Sequence, residues 1–295
     1  MFKICNNILL ELYKKTSTPY FYIGASLARI GLGLILLYSY LTLYFQRNII
    51  YGPNGLGNPD FTLYSLSNSP IYFQIIYHLG ILIAILFVIG YKGRLVSILN
   101  FIFAYSLINR GYLISDGGDN LMSLLLFYLM FADVTQYFSI DSKINKNIKN
   151  NEFKTILHNF AIYACIVQIC IVYVTSALYQ LQGDKWVNGT AIYYITQVDI
   201  FSNPFLTGIL NHSDILMTFL TYFSIIIKIA FPFMILMGKK SKIFIVSCII
   251  LFHSGIGIFM GLITFALTMI ASETLIFSDF EYRKIFLYLR KLKRK

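Results

Sequence analysis

The stretch 215–261, "ILMTFLTYFSIIIKIAFPFMILMGKKSKIFIVSCIILFHSGIGIFMG", decides the fold class. Apolar runs at 214–237 and 243–259 flank Gly238, Lys239, Lys240, Ser241 and Lys242. A helix needs about 20 apolar residues to cross the hydrocarbon core, and each run is within that range. Lipid offers no hydrogen bonds, so a crossing segment must satisfy its own backbone, which a helix does. Two such runs joined by a short basic turn read as a transmembrane helical hairpin. The alternation of a membrane barrel is absent.

The same pattern extends in both directions. Further apolar runs lie at 20–44, 72–90, 95–109, 121–138 and 156–179. The last run continues to 277, too long for one span, and Gly255, Gly257 and Gly261 interrupt it. It reads as two helices, 243–259 and 262–277. The chain is therefore expected to be all-α, a polytopic transmembrane helix bundle of about eight spans. Composition agrees: 57% of residues are hydrophobic and 13% charged, about half the charged fraction of soluble domains.

Charge placement sets the orientation. With both termini cytoplasmic, every one of the 24 lysines and arginines falls on the inner side except Arg29, Arg47, Arg110, Lys185 and Lys228. A seven-span reading would leave the basic tail outside, against the positive-inside rule. The net charge of +11 thus points to a membrane surface and away from nucleic acid. Asp60, Asp116, Asp119, Asp184, Asp199 and Asp214 fall on the outer loops, roughly 45–71, 110–120 and 180–213. Specific function is expected to face outward, on these longer loops.

The expected organisation is an amphipathic basic segment at 1–18, a transmembrane domain at 19–279 and a basic cytoplasmic tail at 280–295. The first apolar run is too long for a signal-peptide core and is expected to remain as the first span. Cys5, Cys165, Cys170 and Cys248 form neither a disulfide framework nor a metal-binding spacing. No metal or cofactor is implied.

Ionisable groups inside spans are costly and mark candidate sites. Arg29 stands beside Gly31 and Gly33, Lys228 lies one turn before Pro232, and His253 lies next to glycines. Each reads either as a buried, partnered structural group or as a functional one; Arg29 and Lys228 are expected to have an acidic or carbonyl partner. In "NRGYLISDGGDNLMS", Asp119 or Asn120 caps the next helix, while Asp116, Asp119 and Arg110 together are candidates to line a site. Trp186 reads as an interfacial anchor, or with Lys185 and Asn188 as part of a polar binding segment. The following "GTAIYYITQVDIFSNPF" reads as an amphipathic helix ending at Pro204. These elements are expected to frame an outward-opening cavity.

Four segments, "SLARIGLGLILLYSY", "YKGRLVSILNFIFAYSLINRGYLISDGGDNLMSLLLFYLMFADVTQYFSID", "DKWVNGTAIYY" and "FHSGIGIFMGLITFALTMIASE", resemble in order the HTTM family. This is the transmembrane domain shared with vitamin K-dependent gamma-carboxylase. The short chain is most similar to the SdpB-type branch. The resemblance implies a bacterial cell-membrane protein needed to mature or export a secreted antimicrobial peptide of the sporulation-delaying type. Its implied partners are a peptide toxin precursor, a small protein of the same system and membrane lipid. A peptide-modifying enzyme linked to a quinone, or an immunity protein that binds the toxin, are the other readings.

The carboxylase carries a catalytic lysine in K-L-x-x-x-W, where this chain has Gln180 and Leu181 before Trp186. It carries a histidine where this chain has Gln136, and a later F-H retained here as Phe252-His253. An amide cannot serve as a general base, so carboxylation is not expected. Lys185 is the nearby lysine able to take the missing one's place.

Overall fold

Ser69 and Pro70 open a helix that Gly90 closes. The Ser69 hydroxyl accepts from Tyr72 N, Pro70 takes the first helical position, where no N–H is needed, and Gly90 adopts φ +70°. Comparable local signals build nine helices of ten or more residues among the described residues of this computed structural model. They are α1 (Tyr22–Thr42), α2 (Pro70–Ile89), α3 (Gly93–Arg110), α4 (Gly117–Leu129), α5 (Glu152–Leu181), α6 (Asp214–Met237), α7 (Lys239–Met260), α8 (Ile263–Ser272) and α9 (Asp279–Leu292). The structure describes residues 13, 16–57, 61–144, 151–203, 208, 210 and 212–292, and no strand occurs among them. Most of the basic segment 1–18, together with Cys5, Asp60, Pro204 and the end of the tail, lies outside them.

Five helices, α1, α2, α5, α6 and α7, are long and apolar enough to cross a membrane. A sixth crossing results if residues 263–276 and 279–288, bent by 103°, are counted together. The protein is a multi-pass helical membrane protein. The predicted break in the last apolar run is real: α7 ends at Gly261, φ +70°, and α8 follows. The segment read as a basic tail forms the helix α9 over most of its length.

The fourth apolar run behaves differently from its sequence reading. A continuous span was expected over 121–138, but α4 stops at Leu129 after 13 residues, about 20 Å at 1.5 Å per residue. Residues 130–139 run as turns. An irregular backbone here is tolerated because side chains remote in sequence satisfy it. Arg29 donates to the carbonyls of Val134 and Phe138, at 3.0 and 2.7 Å. Ser26 Oγ accepts from Tyr137 N, and His158 Nδ1 accepts from Asp133 N.

The chain divides into two compact units: residues 1–166 with 274–295, and residues 167–273. In the first, α1 packs on α2, α4 and α9, while α3 packs on α2 and α4. Two helix starts are capped by acids far along the chain. Asp141 accepts from Lys92 N and Gly93 N at the start of α3, and Asp279 accepts from Ile23 N at 2.7 Å at the start of α1. Gly24 lies so close to residue 274 that a Cβ would sit 2.5 Å from the Thr274 carbonyl oxygen. Tyr40, Tyr64, Tyr77 and Phe73 fill an aromatic core, with Tyr77 OH donating to Tyr40 O at 2.7 Å. In the second unit α6 packs on α7, α7 on α8, and a short helix at Ala191–Thr196 on α6.

Candidate functional site

The second unit carries a polar interior within apolar helices. It begins at the tryptophan segment. The expected single helix after Gly189 is instead broken into Ala191–Thr196 and a 3-10 turn, Asp199–Phe201. Gly189 has φ +74°, and a Cβ there would meet Thr218 Cγ2 at 2.9 Å, so both conformation and contact demand glycine. That close approach lets Tyr222 OH donate to Val187 O at 2.8 Å and Ile192 N to Thr221 Oγ1 at 3.3 Å. Thr221, Ser224 and Lys228 follow at helical spacing on the buried face of α6.

Lys228 is 6% exposed. Its ammonium donates to Gln180 Oε1 at 2.9 Å and to Ser176 Oγ at 3.2 Å. Both partners lie on α5 at a spacing of four, which places them on one face. The Phe252 ring lies 5.3 Å from the ammonium. The expected acidic or carbonyl partner is thus the side-chain carbonyl of Gln180. Its location bears on the carboxylase resemblance: the lysine that reaches the Gln180 position is Lys228, from another helix, whereas Lys185 Nζ sits 3.8 Å from the centre of the Tyr194 ring.

His253 Nδ1 lies 3.0 Å from Ile249 O. A carbonyl only accepts, so Nδ1 carries a proton and donates it to Ile249 O. The ring centroid is 5.9 Å from that of Tyr173, which also packs on Phe231. Tyr173 OH donates to Glu273 Oε1 at 2.6 Å, and Glu273 Oε2 is buried with no partner among the described residues. Glu273, 2% exposed, meets the same criterion of an ionisable group inside an apolar run that singled out Lys228. Ser176 and Tyr173 carry no such signal, being ordinary polar residues in a span.

Of the remaining candidates, Arg29, Arg110, Asp116 and Asp119 belong to the first unit, and Trp186 and Asn188 to the second. Arg29 is fully buried in the first unit, and all its hydrogen bonds go to backbone carbonyls, those of Phe87 and Val88 at the end of α2 as well as Val134 and Phe138. Arg110 donates to Tyr51 O and Gly52 O, holding that loop against the end of α3. Asp116 is the cap of α4, accepting from Gly118 N and Asp119 N, while Asp119 accepts from Asp116 N. Trp186 is half-buried and Asn188 exposed.

Gln136 lies in the first unit, where its amide donates to Asp133 at 2.6 Å. It lines a cavity of about 420 Å³ together with Tyr22, Tyr137, Asp279 and Arg283. The positions matched to the carboxylase pattern thus divide, Gln136 in one unit and Gln180 and His253 in the other. No group of three or more His, Cys, Asp or Glu side chains is placed to hold a metal ion among the described residues.

Comparison with known proteins follows the same lines. The family model for the HTTM domain matches residues 24–281. The chain is 36% identical over 141 residues to sporulation-delaying protein SdpB of Bacillus subtilis (strain 168), a match covering 45% of this chain and 41% of that protein. It is 25% identical over 219 residues to the uncharacterized protein YitO of the same organism, covering 72% of this chain and 69% of that one. No solved structure matches it.

Proposed function

Because the chain belongs to the HTTM family and its likeness to SdpB supports the SdpB-type branch, we propose that it is a bacterial plasma-membrane factor in the production of a sporulation-delaying-type peptide toxin, acting in the toxin's maturation or export. The observation that carries this reading is the polar interior of the second unit. A row of buried hydrogen-bonding side chains, Thr221, Ser224, Lys228 and His253, lies inside helices whose composition otherwise suits lipid. Such an interior is costly in a membrane protein and is retained where polar matter is bound or passed. A peptide precursor and a small protein of the same system are the proposed partners.

The proposed topology has eight spans with both termini cytoplasmic, α3, α4 and α8 completing the set. The basic residues at the junctions α2–α3, α4–α5 and α6–α7 support it, as these junctions fall on one side when spans alternate. Gln136 and Gln180 argue against carboxylation, as neither amide abstracts a proton.

Deleting the gene in a producing strain, followed by mass spectrometry of the secreted peptide, tests the function. The mature peptide should vanish and return with the wild-type gene. Full output of mature peptide from the deletion strain would refute the reading.

A further inference from the structure

The hydrogen-bond inventory around Lys228 is one-sided. An ammonium has three N–H donors, and two of them go to neutral acceptors, Ser176 Oγ and Gln180 Oε1. These contacts occupy one lone pair on each partner's oxygen. The spare donors of the cluster are one ammonium N–H, the two N–H bonds of the Gln180 amide and the Ser176 O–H. No carboxylate pairs with the ammonium among the described residues; the buried acid of this unit, Glu273, is bound by Tyr173. The ammonium itself is nearly inaccessible, yet Ser176 and Gln180 are only half-buried, so the group is approached from their side. A buried cation without a counter-charge, ringed by spare donors, matches a planar anion with several lone pairs.

We propose that Lys228, Gln180 and Ser176 form a binding site for the carboxylate of an amphiphilic molecule, whose apolar part lies along the neighbouring helices. Two sources share this chemistry, the free carboxyl terminus of a hydrophobic peptide and a fatty acid from the bilayer. The site does not depend on the toxin reading: it predicts binding by the purified protein alone.

The test uses full-length protein in lipid nanodiscs and two probe pairs. One pair is 11-(dansylamino)undecanoic acid and its methyl ester. The other is a fluorescent ten-residue Leu/Ala/Val peptide with a free or an amidated carboxyl terminus. For at least one pair, the free acid should bind about tenfold or more tightly than its capped form, the value of one charge-assisted hydrogen bond to a buried group. The preferred pair identifies the source. Lys228→Gln should abolish the preference and Lys228→Arg should retain most of it. If Lys228→Gln does not fold, Gln180→Leu, which keeps the charge and removes the amide donors, should reduce the preference instead. Equal binding of acid and capped form in both pairs, or an undiminished preference in a folded Lys228→Gln, overturns the proposal.

Discussion

Replacing Arg29 with methionine removes every donor of a fully buried guanidinium while keeping most of its volume. Four carbonyls lose a partner: Phe87, Val88, Val134 and Phe138. Phe87 O retains Gly90 N as a donor at 3.1 Å, so three are left in want. An unmet buried acceptor costs about 1–3 kcal/mol, and losing the desolvated charge returns part of the sum. The net loss is about 3–5 kcal/mol, the range for breaking a buried charged contact. At roughly 2–4 °C per kcal/mol, the unfolding midpoint should fall by about 6–20 °C. The measurement is the fraction of monodisperse protein surviving a heating series in detergent. The loss should be local first, so chymotrypsin should cut at Phe131, Tyr137 or Phe138 faster than in wild type. Arg29→Lys keeps a charge without the planar fork and should fall between the two. A midpoint for Arg29→Met within about 2 °C of wild type would show that the 130–139 turns do not depend on this side chain.

Two further outcomes follow from the helix caps. Asp119→Ala removes the carboxylate that accepts from Asp116 N at the start of α4 and should cost about 0.5–2 kcal/mol, read as a lower midpoint in the same heating series; an unchanged midpoint would mean that the capping box contributes nothing. Asp279→Ala leaves Ile23 N without its cap and should cost about 0.5–2 kcal/mol, read as a lower midpoint in the same heating series; an unchanged midpoint would mean that water replaces the carboxylate at no cost.

Much of the fold is legible because helix ends use local signals. Ser69-Pro70, Gly90 and Gly261 stand where a helix must start or stop, and the break within 243–277 can be read from its glycines. The end of α4 is not legible. "LMFADVTQYFSI" stays apolar past Leu129, and the groups that satisfy its irregular backbone come from Ser26, Arg29 and His158. No window along the sequence contains that information. The candidate site divides in the same way. Lys228 and His253 stand out as ionisable residues within apolar runs, but the lysine's partners are a serine and a glutamine on another helix. Arg29 and Arg110 are equally conspicuous, yet both donate to backbone carbonyls. Lys185, the nearby substitute for a missing lysine, is drawn to the ring of Tyr194.

The Asp279 cap sets an order of events in time. Ile23 and Asp279 are separated by 256 residues, which a ribosome adding about 5–20 residues per second takes roughly 13–50 s to make. Through that interval the first helix resides in the bilayer with its leading N–H groups solvated, while the helices of the second unit are threaded after it. Only the last part of the chain delivers the carboxylate, together with the close contact between Gly24 and Thr274. A polypeptide released before residue 279 therefore lacks the carboxylate that latches its first span.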